Sequence, residues 1–407
     1  MKALEWLGFA AGLLLVLATY ASVLETTIVP RGNRAGLTRL ILRLVNLPVR
    51  LVASRLTNYE ARDRMLAYAS AGYLVATLLL WLLLFLVGYA LMLWPSSLDL
   101  GDAFRTAGSS MLTLGIAAPR GGVSTVVVYL AALTGLVVIA LQIAYLPVLY
   151  AAYNRRETLV TMLEGLAGTP GWGPEVLVRS ASVDNLDGLD GMYDRWMQWA
   201  ADVSESHAAY LVLMYFRSPH ARRSWVISLL SILDAAAMHL ALCPITVPGT
   251  ARNLMRVGYL AFRQLAATAG LAVNDDPSPD DSIELTKQEF IDAAERARAV
   301  GMEFEREPEQ AWVHFKGWRV NYEAAAYQLA ATLDAVPALW SGPRLRPGPP
   351  VRPATPIDRL SASVEVSEIR RVGALRRERR AAEQRRQAQH DHEHEREHAA
   401  EEQQADS

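Results

Sequence analysis

The sequence predicts an all-α membrane protein. It has three transmembrane helices, a re-entrant loop before the third, a cytoplasmic mainly helical domain and a disordered tail. Three observations carry this. Three long runs are apolar enough to cross a bilayer, the arginines are distributed unevenly around them, and convincing period-2 strand patterns are absent from the remainder. The net charge of −2 over 407 residues hides that asymmetry: the first 153 residues are mostly apolar and the last 50 are rich in Arg, Glu and His.

The first run, Trp6–Leu24, contains no charge. Lys2 alone makes a weak basic region, Glu5 balances it, and no small-x-small cleavage site follows, so a retained helix is expected rather than a signal peptide. The second run, Met65–Trp94, is free of charge throughout its 30 residues. The third, Val123–Tyr153, carries Gln142 as its one strongly polar side chain. Both exceed the roughly 20 residues a span requires, which implies tilt or projection from the bilayer.

Eight arginines lie between the first two runs (31, 34, 39, 43, 50, 55, 62 and 64), against Glu25, Glu60 and Asp63. The loop between the second and third holds only Arg105 and Arg120, balanced by Asp99 and Asp102, and Arg155 and Arg156 follow the third directly. The positive-inside rule then places the connector and the C-terminal part in the cytoplasm, with the N-terminus outside. Five units result: 1–25, 26–64, 65–157, 158–340 and 341–407. Within the connector, Leu37, Leu40, Ile41, Leu44 and Val45 recur at helical spacing, with Arg39 and Arg43 off that face. That pattern suits a helix in the inner headgroup layer, and a basic juxtamembrane linker is the alternative.

Beyond 157 the helical segments are interrupted by "GTPGWGP" (168–174), Pro219, Pro244, Pro248 and the acidic "NDDPSPDDS". "SWVISLLSILDAAAMHLALCPI" is nearly long enough to span a membrane. Asp234 and His239 inside it favour a buried helix of the soluble domain. Trp196, Trp199, Tyr210, Tyr215 and Trp225 are expected in that domain's core. Six prolines in 341–357 mark an extended linker, and the tail after it has too few large apolar residues to bury a core.

Other chemistry finds little footing. The single cysteine, Cys243, excludes an intrachain disulfide and multi-cysteine zinc sites. "VDNLDGLDGMYD" resembles a calcium loop, but with Gly188 at the turn the first ligand position falls on Val183, which cannot ligate. His390, His392, His394 and His398 read as part of a solvated charged segment. His207, His220, His239 and His314 lack a glycine-framed Ser or Asp, and no phosphate-cradling loop with Lys is present. The sequence therefore predicts no enzyme.

The most informative stretch is "GSSMLTLGIAAPRGG", residues 108–122. Asp99 or Asp102 can cap a helix over about residues 100 to 111, too short to cross a bilayer but able to enter it halfway. Small residues then allow the backbone to return extended, which is tolerated at membrane depth only inside protein or along a water-filled path.

Span, half-helix, Thr-Leu-Gly, span resembles the pore module of two-transmembrane potassium channels, over residues 65 to 157. The resemblance sets Thr113 on the filter threonine, Leu114 on the valine and Gly115 on the first filter glycine. Ile116 takes the place of the aromatic and Ala117 that of the second glycine, so the filter is degenerate. The resemblance implies that carbonyls of this stretch replace an ion's hydration shell, that Gly135 lies near the inner-helix hinge, and that Gln142 lines the pore or bonds a neighbouring helix. The implied function is a tetrameric channel for potassium or other monovalent cations, with the lipid bilayer and three further copies as partners. No cofactor and no nucleic acid are expected. A non-conducting pore fold that anchors a cytoplasmic sensor or scaffold is the alternative.

Overall fold

The computed structural model describes residues 2–27, 47–49, 51–53, 55–56, 58–344 and 348–356. The amphipathic helix expected over 37–45 and the tail beyond 357 lie outside these residues. Among the described residues the chain is mostly helical and holds no strand, only two isolated bridges, Thr169–Ala354 and Ala338–Val351. The all-α class holds.

Among the described residues four helices are long and apolar enough to cross a membrane. The first is α1 (Lys2–Thr27); the second, α2 (Tyr59–Leu93), continues through a 3-10 turn to Ser96. A short helix, α3 (Leu100–Met111), precedes α4 (Gly122–Ala167), which runs 46 residues and crosses the expected boundary at 157. The fourth candidate, α7 (Trp225–Leu242), differs from the rest: all 18 of its residues are buried by protein. The others leave most of their apolar surface uncovered, as lipid-facing helices do.

Two cores result. Around α1–α4, Trp81, Phe85, Tyr89 and Leu93 of α2 meet Ala103, Ala107 and Met111 of α3 and Val127, Ala131 and Val138 of α4. Gly12 and Gly88 let α1 and α2 approach until each would set a Cβ against the other helix, the small-residue contact typical of helices in lipid. Polar side chains tie the three long helices together. The hydroxyls of Tyr20 (α1) and Tyr89 (α2) both engage Thr134 Oγ1 of α4, the latter at 2.6 Å, and Trp81 Nε1 donates to Ser22 Oγ at 3.2 Å.

The second core surrounds α7. It is packed by the C-terminal end of α4 and by α5 (Gly173–Ser182), α6 (Leu189–Ala209), α8 (Gly249–Thr268), α9 (Lys287–Ala299), α10 (Pro308–Arg319) and α11 (Glu323–Thr332). The breaks fall where Gly and Pro place them. Trp196, Trp199 and Trp225 are buried in this core, while Tyr210 and Tyr215 are half-buried at its edge. Asp234, the polar exception within α7, is held by the buried Arg319 guanidinium and by the Tyr322 hydroxyl at 2.8 Å. Burial still pushes its carboxyl up to about 6, with Arg319 opposing. The proline-rich stretch 348–356 is extended and docks on the domain, Ala354 exchanging both backbone hydrogen bonds with Thr169.

Candidate functional site

The site is built by α3 and the chain that follows it. Asp99 is the N-cap of α3, its carboxylate accepting from the Asp102 N–H at 2.8 Å. A carboxylate there satisfies an orphan donor and suits the positive end of the helix dipole. Ala103, Thr106, Ala107, Ser109 and Met111 form the buried face, and the helix ends at Leu112, followed by a return without regular structure to Gly121.

That return is ordered by one residue. The N–H groups of Leu114 and Gly115 donate to the Ser109 carbonyl oxygen, at 2.8 and 3.3 Å. Those of Ile116 and Ala117 donate to Ser109 Oγ, at 2.8 and 3.0 Å. Four consecutive amides thus point at Ser109. The backbone that permits this places Thr113 (φ 56°) and Gly115 (φ 66°) in the left-handed region, but neither Leu114 nor Ile116. Such alternation aligns successive N–H groups into a concave nest. Gly115 adopts that conformation without strain, whereas for Thr113 it costs on the order of 1–3 kcal/mol.

The carbonyls follow by geometry. In a planar trans peptide the N–H of one residue and the C=O of the residue before it point in opposite directions. With the amides of 114–117 turned toward Ser109, the carbonyl oxygens of Thr113, Leu114, Gly115 and Ile116 face the other side. Thr113, Leu114, Gly115 and Ile116 are exposed, Leu114 and Ile116 by 57% and 59%. Backbone carbonyls left free of the chain's own amides are oxygen donors that a hard cation can use.

Of the remaining candidates, Gly135 is buried on α4 directly beneath the end of α3, where the Met111 carbonyl leaves no room for a Cβ. Gln142 is buried among the chain's own helices, and its Oε1 has no hydrogen-bond partner. Ser109 was not singled out from the sequence. One serine in a run of two carries no signal until the turn after it is known.

A second constellation joins this part to the helices packed around α7. Arg156, wholly buried on α4, donates to the carbonyls of Leu213 (2.8 Å) and Phe216 (2.7 Å), to Glu157 and to His207 Nε2 (3.0 Å). Arginine only donates, so this nitrogen accepts and the ring is neutral. Burial, then the Arg156 charge, holds the His207 imidazole well below its usual range. One residue past Phe216, Arg217 bonds Asp63 of α2 and donates to the Leu333 and Asp334 carbonyls at 2.6 and 2.8 Å. The segment 213–217 thus grips α2 and α4 at once.

Comparisons with protein-family models, with curated proteins and with solved structures return no match.

Proposed function

We propose that the chain is one subunit of a cation-conducting membrane pore. In this reading Trp6–Leu24, Met65–Trp94 and Val123–Tyr153 span a bacterial inner membrane with the N-terminus outside. The chain around α3 dips in from the outer face, and α5–α11 lie in the cytoplasm. The observation that carries the reading is the turning of four consecutive amides, 114–117, onto Ser109, which leaves the Thr113–Ile116 carbonyls facing away from it. A single row of carbonyls cannot surround an ion. Four copies related by a rotational axis close the ring, and the exposure of Leu114 and Ile116 in one chain fits a stretch that other chains complete. The oxygen ligands are neutral, which favours a monovalent cation such as potassium.

Native mass spectrometry in mild detergent should give a tetramer. Liposomes containing the purified chain should pass potassium, and Gly115→Val should abolish this while leaving the protein in the membrane. Its branched side chain opposes the positive φ at 115 and would crowd the axis. A tetramer that passes no cation at either polarity would make the pore fold a membrane anchor for the cytoplasmic domain. Monomers alone would return residues 108–122 to an ordinary external loop.

A further inference from the structure

Past Tyr153, α4 forms one wall of an apolar groove of about 180 Å³ whose other wall is α6. Leu159, Met162 and Leu166 line it from α4, at i, i+3 and i+7 of one helical face, and Leu189 and Met192 line it from α6. Met162 is 54% exposed. Arg155, Arg156 and Glu157 separate this face from the apolar run that ends at Tyr153, so it does not continue the surface left for lipid. Arg195 of α6 is the one charged residue among the described lining residues, and no carboxylate of the described residues pairs with it.

The described residues end beside this groove. Ala354 pairs with Thr169, just past the C-terminal end of α4, and Pro353 and Thr355 lie against Gly168. The Pro356 carbonyl then accepts from Arg179 of α5, whose guanidinium also donates to the Gly165 carbonyl at 2.7 Å. Ser180, the next residue of α5, lines the groove. The chain is thus carried back along α4 from Thr169 to Gly165. The groove residues Met162 and Leu159 are the next turns of α4 in that direction.

The sequence that follows Pro356 matches the groove. Thr355-Pro-Ile-Asp358 is a helix start, with a Thr cap, Pro at the first helical position and an acid at the third. Ile357, Leu360 and Val364 then share one face at i, i+3 and i+7. On a helix they span about 10 Å, the same rise that separates Leu166 from Leu159 on α4. We propose that residues 356–366 form a helix docked antiparallel to α4 in this groove, with Ile357 at Leu166, Leu360 at Met162 and Val364 at Leu159. The charges agree with that register. Trp199 Nε1 donates to the Arg156 carbonyl at 3.0 Å, so Arg195, one turn earlier on α6, stands at the level of Leu159. Glu365 meets it there. The docking stands independently of the pore assignment.

Paired cysteines in the full-length, detergent-solubilised chain, with Cys243→Ser as background, test this. Met162→Cys with Leu360→Cys should close a disulfide within one chain under mild oxidation, whereas Val313→Cys, at an exposed position of α10, with Leu360→Cys should not. In the parent, trypsin should cut after Arg359 more slowly than after Arg376. Met162→Asp, at an exposed position, should speed the first cut at least about tenfold and leave the second unchanged, because cleavage tracks the fraction of open segment. Disulfides formed only between chains would give the groove to a second copy and overturn the proposal. Cleavage after Arg359 as fast in the parent as in Met162→Asp would overturn it too.

Discussion

Gly135 of α4 lies against the carbonyl oxygen of Met111, the last residue of α3, so closely that a Cβ at 135 would overlap it. The end of the short helix is therefore positioned by the absence of a side chain one helix away. Gly135→Ala should push α3 off α4, and overpacking of this kind costs about 1–3 kcal/mol. Thermal unfolding in detergent should show the loss. Gly72→Ala, where a Cβ meets nothing within 4 Å, should leave the midpoint unchanged or raise it.

Ser109→Ala deletes the acceptor of the Ile116 and Ala117 amides and leaves the carbonyl that serves Leu114 and Gly115. The outer half of the carbonyl row should lose its order and the inner half keep it. In the liposome assay, discrimination between potassium and sodium should fall further than total cation flux. Ser109→Thr, which retains the hydroxyl, should recover discrimination. Equal behaviour of the alanine variant and the parent would show that Ser109 does not hold the loop.

Arg156→Met should be among the most damaging single changes. It leaves the Leu213 and Phe216 carbonyls and the Glu157 carboxylate without a buried donor they now share. Removing one partner of a buried ion pair costs about 3–5 kcal/mol. Limited proteolysis should open the 210–217 segment in this variant. Arg155→Met, which breaks only the exposed pair with Asp202, should stay within about 1 kcal/mol of the parent.

Acid should destabilise the helical domain around α7 through its buried imidazoles. Burial depresses His239 to about 4, the nearby Glu305 carboxylate opposing. Between pH 6.5 and 4 the unfolded chain binds a proton that the folded one excludes, so stability falls as pH falls through that window. His207 acts with the same sign. Denaturant titrations across this range should show the slope reduced by about one proton in His239→Gln. An unchanged slope would mean that the ring is not held neutral.

The helical elements were legible because their signals are local. An Asp followed by small and amphipathic residues marks α3 from its cap to Met111, and long uncharged runs mark α1, α2 and the first part of α4. The burial of α7 was legible from Asp234 and His239, two groups that lipid would not accommodate and that Arg319, Tyr322 and Tyr193 do. Tertiary pairings were not legible. Nothing near Arg156 in the chain announces carbonyls about 60 residues away, and nothing near Asp63 announces Arg217. The extent of α4 also escaped, because charges at 155–157 read as an end, although Arg156 is wholly buried inside the helix.

The length of α4 constrains how any signal travels. Its 46 residues extend about 69 Å, more than twice the hydrocarbon thickness of a bilayer of about 30 Å. The same rod that touches Met111 at Gly135 ends at Ala167 within the core around α7. With no swivel between them, twisting or tilting the lower half is felt as torque at the upper half. The one weak point is Pro147, where the backbone forfeits a hydrogen bond and a bend costs least. Motion of the domain around α7 would be delivered to α1–α3 as leverage about that proline.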